Sequence, residues 1–293
     1  MRFLPVMLAM CCAALLVSAA PAPQDAKAEL LVVSKRTGNG EIFLIHADGS
    51  EPKNLTLSKC LNAFPAWSPD GKKIAFASDF DGTMNIYVMD PNGNQTKQLT
   101  KSNDPTWHPS WSPDGKKIVF SRKMPTGSGI FIMDADGDNE KQIAQDAADP
   151  AWSPDGKKIL FTSRRSGAGY RVYVMDTSGA NVTELTFNSN QMGHTFPAWS
   201  PDSKKIAWTD LAGQDLELFV ADADGKNVKQ LTMLGGINTY AAWSPSGKQI
   251  AFHHSEGNQS GALYLMDADG GNQRVLLNDE PKIGGGYPAW RPK

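Results

Sequence analysis

Short apolar runs bounded by turn residues recur along the chain, and they predict strands rather than helices. Lys73–Ser78 alternates apolar and small residues, the mark of a strand. Before it, Pro65–Ser68 is extended and Ser68-Pro69-Asp70-Gly71 forms a turn, with proline fixing φ at the second position. After it, the polar stretch Asp79–Met84 leads to a strand at Asn85–Met89. Asp90-Pro91-Asn92-Gly93 then turns the chain into a last strand ending at Leu99-Thr100. These four strands are termed a to d.

The pattern is copied. The sequence P-A-W-S-P-D-G-K-K-I-A-F, read at Pro65–Phe76, recurs with tryptophans at Trp67, Trp111, Trp152, Trp199, Trp243 and Trp290, spaced as one four-stranded propeller blade requires. In each copy the residue ending strand c and the apolar residue of strand d are nine apart: Asp90/Leu99, Asp134/Ile143, Asp176/Leu185, Asp222/Leu231 and Asp267/Leu276. A sixth pair, His46/Leu55, precedes the first tryptophan, so the N-terminal segment carries strands b to d without strand a. Tyr287–Pro292 supplies a strand a after which the sequence stops. The expected fold is an all-β six-bladed propeller of four-stranded antiparallel blades, its last blade assembled from both ends of the chain. Closure of that kind leaves no unpaired sheet edges in the ring.

Residues 30–293 give 44 residues per blade and one domain, preceded by a linker at 21–29. Arg2, the apolar run Phe3–Val17 and the small residues Ser18-Ala19-Ala20 read as a cleaved signal peptide over 1–20, the run being short for a membrane span. A lipoprotein signal at Leu8-Ala9-Met10-Cys11 is the weaker reading. The expected location is therefore periplasmic or secreted, peripheral to a membrane at most. With Lys+Arg 29 against Asp+Glu 31, the chain lacks the basic excess of a nucleic-acid binder. Of three cysteines, Cys11 and Cys12 leave with the signal peptide, so Cys60 has no internal partner for a disulfide.

The repeat P-A-W-S-P-D-G-K-K-I-A-F, followed by I-Y-V-M-D and L-T, resembles the TolB-like propeller repeat over nearly the whole mature chain, most closely at Trp67, Trp111 and Trp152. The departures are Ser203 in the glycine place, Ser246 in the aspartate place and Arg291-Pro292-Lys293 at the last copy. The resemblance implies an exported, non-enzymatic propeller that binds proteins, with a peptidoglycan-associated lipoprotein or another envelope protein as partner and a Tol-Pal type of role. TolB-type proteins carry an α/β domain before the propeller; Ala20–Leu30 leaves room here only for a linker, so a complete TolB is not implied. A monomer without cofactor or metal is expected.

Features shared by all copies read as structural. The tryptophans should pack between neighbouring blades, and Asp134–Glu140 reads as a turn rather than a calcium loop, since it lacks the twelve-residue loop and flanking helices of an EF-hand. Features that vary point to a working surface. The d-to-a connections vary most in length, and they share one end of the propeller with the b-to-c loops. Three residues before each tryptophan stand Phe64, His108, Asp149, Phe196, Tyr240 and Tyr287, expected to ring the channel mouth at that end, with Trp107, His194 and Asn238 adjacent. Such aromatics offer large contact area at low entropic cost, or else plug the channel by packing on one another. Arg122, Lys123, Arg164, Arg165 and Arg171 form an expected basic sector for an acidic partner or polyanionic glycan, the alternative being a solvated loop surface. No G-x-S-x-G elbow is present. Two further readings stay open: a carbohydrate-active or metal-dependent enzyme at the mouth around His108, Asp149 and His194, and a ligand-binding sensory propeller.

Overall fold

The computed structural model describes residues 27–36, 38–167, 169–186, 195–257, 261–277 and 286–293. The expected signal peptide, most of the linker and His194 lie outside them. Among the described residues all regular structure is β. The first strands are β1 (Glu29–Ser34), β2 (Glu41–His46) and β3 (Lys53–Asn54). A second group comprises β4 (Asn62–Trp67), β5 (Ile74–Ser78), β6 (Asn85–Met89) and β7 (Lys97–Gln98). A third runs through β8 (Thr106–Trp111), β9 (Lys117–Lys123), β10 (Ser128–Asp134) and β11 (Lys141–Gln145), and a fourth through β12 (Ala147–Trp152), β13 (Lys158–Ser163), β14 (Arg171–Asp176) and β15 (Thr183–Glu184). Then come β16 (Thr195–Trp199), β17 (Lys205–Ala212), β18 (Asp215–Asp222), β19 (Lys229–Gln230), β20 (Ile237–Trp243), β21 (Gln249–Ser255), β22 (Ala262–Asp267), β23 (Arg274–Leu277) and β24 (Gly286–Trp290).

These strands make an all-β propeller of four-stranded antiparallel blades. Within each blade consecutive strands are neighbours. Strands β16–β23 are joined into one sheet through a single parallel pair, Leu216 with Ile237. Strand β24 pairs antiparallel with β1, Leu30 opposite Trp290, bringing the two ends of the described chain into one sheet.

Each repeated motif has a specific bonding role. Ser68 Oγ donates to Asp70 Oδ1 at 2.7 Å and accepts from the Lys73 amide at 2.9 Å, locking the a–b turn; Ser112, Ser153 and Ser200 repeat this with their own aspartates and lysines. The threonine after the strand d leucine accepts the first free amide of strand c: Ile42 to Thr56, Ile86 to Thr100, Val172 to Thr186 and Leu218 to Thr232. That bond substitutes for ladder pairing where strand d has ended, so a two-residue strand suffices at the blade edge.

The tryptophans join the blades, as expected. Trp67, Trp111, Trp199 and Trp290 are each 8% exposed. Their Nε1 atoms donate to the carbonyls of Ala289, Ala66, Ala151 and Ala242 on the neighbouring blade. Trp152 and Trp243 form no such indole bond; in the former, the backbone amide donates instead to Ser110 Oγ at 3.0 Å. The c–d turns make the second joint. Gly137, at φ +100°, sits where a Cβ would come 2.9 Å from the Leu99 carbonyl oxygen of the preceding blade, and Gly49 stands likewise on Leu276. The nine-residue spacing thus sets both a turn and a docking contact. Asp134–Glu140 forms the β10–β11 turn, with Asp134 held by Lys117 and Asn139.

Strand a begins earlier than expected, at Asn62 rather than Pro65, because the chain bulges at Phe64 and pairs on both sides of the bulge. Replacing Trp111 with alanine removes a buried indole and its inter-blade bond, and should cost about 3–5 kcal/mol. The measurement is the urea unfolding midpoint, expected to fall at unchanged slope.

Candidate functional site

The innermost strand of each blade carries one residue in the left-handed region: Phe64 (φ 55°), His108 (54°), Asp149 (53°), Phe196 (54°), Tyr240 (58°) and Tyr287 (57°). A positive φ is costly for bulky residues, of order 1–3 kcal/mol each, and persists only where the surroundings enforce it. Enforcement comes from pairing on either side, since the register shifts at each position: between Ala63 and Ala66, Trp107 and Ser110, Ala148 and Ala151, Thr195 and Ala198, Thr239 and Ala242, and on the β1 side between Leu31 and Val33. In five of six the next residue is proline, which has no amide to lose from the ladder where the bulge interrupts it.

The bulges bring these six side chains together at one end of the axis. Ring centroids of Phe64 and His108 are 3.9 Å apart, those of Phe196 and Tyr240 4.2 Å, of Tyr240 and Tyr287 4.2 Å, and of Tyr287 and Phe64 4.2 Å. Asp149 fills the remaining place: its Oδ1 lies 2.8 Å from His108 Nδ1, and its carboxylate accepts the Phe196 amide. Packing on one another and lining a cavity both hold. All six line a concavity of about 210 Å³, whereas a wider one of about 450 Å³ toward the other end is lined by five of the inter-blade tryptophans and none of the six.

The cavity floor is electrostatically uneven. Burial works to raise the Asp149 carboxyl, but the adjacent His108 imidazole, Thr162 Oγ1 (2.8 Å) and the Phe196 amide together outweigh it and hold the group below the usual carboxylate range. Tyr240 donates to Tyr287 Oη at 3.3 Å; burial pushes both phenols up, so both stay protonated. Ser110 lines the same cavity, but its Oγ is engaged by the Trp152 amide and His108 Nε2 has no hydrogen-bond partner, so no Ser–His–Asp relay is assembled. No group of three or more His, Cys, Asp or Glu converges on a metal position among the described residues.

Other expected site residues go elsewhere. Trp107 packs on the apolar cluster of Phe120 and Phe131 and does not line the cavity. Asn238 is fully buried: its Nδ2 donates to Glu217 and to the carbonyls of Leu216 and Gly235, while its Oδ1 meets His254 Nδ1 at 2.9 Å. In the basic sector the arginines are engaged to different degrees. Arg122 forks onto Glu140 at 2.5 and 2.7 Å and lies over Phe131. Arg165 lies over Phe161 and Tyr173, Arg164 over Tyr170, and Arg171 is buried near Glu184. Each guanidinium lies against an aromatic face or a carboxylate, and Arg164 and Arg165, like Lys123, remain exposed while Arg171 is buried. Thr162 and the prolines Pro65, Pro109, Pro150, Pro197 and Pro288 belong to the site and were not singled out from sequence; the signal available was the bulky residue before proline.

His253, outside the cavity, is pushed down to about 4 by burial, with the neighbouring His254 adding to the shift. The folded state therefore keeps it neutral while the unfolded chain takes up a proton near pH 6.5. Stability is full above that pH and declines as pH falls toward 4, by up to roughly 3 kcal/mol. His253→Gln should flatten that slope in unfolding titrations between pH 7 and 4.

The chain matches the family model described as the TolB β-propeller domain over residues 12–127, 104–196 and 188–285. No curated protein matches it in sequence. Among solved structures, TolB from Acinetobacter baumannii is similar at 28% identity and TM-score 0.81, covering 93% of this chain and 68% of that one. A putative TolB from Agrobacterium tumefaciens matches at 21% identity and TM-score 0.72, covering 89% of this chain and 91% of that one. Hydrazine synthase from Kuenenia stuttgartiensis matches at 18% and 0.75, covering 90% and 46%. The last two are likenesses of fold alone.

Proposed function

Because the chain belongs to the TolB β-propeller domain family, we propose that it is a non-enzymatic, exported protein-binding scaffold that docks an envelope protein at the channel mouth. The observation that carries this reading is the ring of six side chains under a concave cavity, four of them large aromatics of the kind enriched at interaction centres. Exposed apolar residues on the same end, Leu57 (81% exposed), Phe80 (66%) and Met233 (80%), extend the candidate surface outward. A lipoprotein of the peptidoglycan-associated type is the partner that the family resemblance favours. The apolar segment Phe3–Val17, read as a signal peptide, supports a periplasmic or secreted location.

The scaffold is a six-bladed ring closed by β24. Supporting this, the sheet of β16–β23 divides at its one parallel pair into two four-strand units, the ring contacts run from Phe64 round to Tyr287 and back, and Gly49 stands on Leu276 as each later turn glycine stands on its predecessor.

Immobilised mature protein, beside a folded variant carrying Phe196→Ala, Tyr240→Ala and Tyr287→Ala, should retain an envelope protein that the variant loses. Equal retention by both would move the docking site away from the mouth, and retention of nothing would favour a small ligand or glycan. Deleting residues 286–293 should abolish cooperative thermal unfolding if β24 closes the ring; an unchanged transition would refute closure.

A further inference from the structure

The floor of the mouth offers more acceptors than donors, the donors being the Tyr287 hydroxyl and the imidazole of His108. Five of the six ring residues precede proline, so five backbone positions lining the cavity carry no amide donor. No lysine or arginine lines the cavity among the described residues. What remains is one carboxylate, the His108 imidazole paired with it, two phenol oxygens and the negative faces of aromatic rings. Asp149 has about four acceptor sites; contacts from His108, Thr162 and the Phe196 amide occupy three. The Tyr240 hydroxyl spends its proton on Tyr287 and keeps its own lone pairs.

Resting on the reading of the mouth as a docking site, we propose that it receives one lysine side chain from the partner, its ammonium held by Asp149, Tyr240 and Tyr287 and its methylenes packed on Phe64 and Phe196. An ammonium brings three donors and no acceptor, which matches these three groups. Its charge is favoured over aromatic faces, where cation–π attraction grows as water is excluded. A carboxylate guest would meet the like charge of Asp149 with only the Tyr287 hydroxyl and the His108 imidazole to receive it. A purely apolar guest would bury the phenol and carboxylate oxygens without partners. A guanidinium carries five donors in a rigid plane, more than the three acceptors can satisfy.

The test is calorimetric titration of the mature protein with n-butylammonium, n-butylguanidinium and n-butyrate at one ionic strength. Butylammonium is expected to bind, butylguanidinium more weakly and butyrate undetectably, with Asp149→Asn weakening butylammonium at least tenfold. Should Asp149→Asn fail to fold, Tyr287→Phe, which keeps the ring and loses the oxygen, should weaken it severalfold. Butyrate binding as well as butylammonium, no butylammonium binding, or affinity unchanged in the folded variants would each overturn the proposal. An envelope protein lost from the aromatic variant but not displaced by butylammonium would overturn the lysine inference and leave the scaffold standing. Selective butylammonium binding with no protein retained would do the reverse.

Discussion

Everything in this molecule depends on the joint between neighbouring blades. A four-stranded sheet with apolar residues on both faces cannot bury them alone, so each blade is stable only where the next one covers it. The apolar clusters follow that rule: Leu30, Phe43 and Ile45 from one sheet share a cluster with Ala251, Leu263 and Leu265 from its neighbour, and Ala75, Ile86 and Leu99 share another with Ile118, Phe120 and Met133. Indole bonds to alanine carbonyls and glycine turns seated on leucine carbonyls fix the angle at which the covered faces meet. Apolar area supplies most of the energy; the polar contacts choose one arrangement among those that area alone would permit.

A rigid joint is also what permits strain at the axis. Six left-handed residues, none of them glycine, would relax in an isolated hairpin. They are held because strand a is pinned on both sides of each bulge, by pairing with strand b and by the tryptophan three residues further on. The bulge in turn redirects the side chain: without it, strict alternation would continue through the strand and residues on the two sides of the bulge would keep one parity. Strain at the innermost strands and packing between the blades are therefore two parts of one arrangement.

Repetition made the fold legible and hid the details of the site. Six tryptophans and the nine-residue spacing of strands c and d could be read because each was written several times, and the structure gives both a bonding role. The positions three before the tryptophans were also legible as a set, and they do converge. Their backbone conformation was not, because nothing in a phenylalanine or tyrosine signals positive φ; the following proline, which ordinarily favours an extended residue before it, argued against it. Trp107 and Asn238 were assigned to the mouth by proximity in sequence, but the bulge changes the parity of the strand and sends them into the blade. The pairing of Arg122 was hidden for another reason. Glu140, the partner of Arg122, arrives from a turn eighteen residues later, and such a pairing has no local signature.

The contrast between joint and ring explains how a nearly symmetric framework acquires an asymmetric centre. At the joints every copy must meet the same neighbour, and within the a–b turns the lock survives a near-equivalent such as Ser246 in an aspartate place, where Ser244 Oγ meets Ser246 Oγ at 3.0 Å instead. At the ring the side chain projects from a bulge that strand pairing and the following tryptophan enforce, and the blade does not need a particular residue there. Phenylalanine, histidine, aspartate and tyrosine therefore occupy equivalent places without disturbing the fold. Placing His108 and Asp149 in consecutive blades puts an ionisable pair within 2.8 Å on an otherwise aromatic floor. The two tyrosine hydroxyls meet elsewhere on the same ring, so the centre is chemically uneven although the framework beneath it repeats.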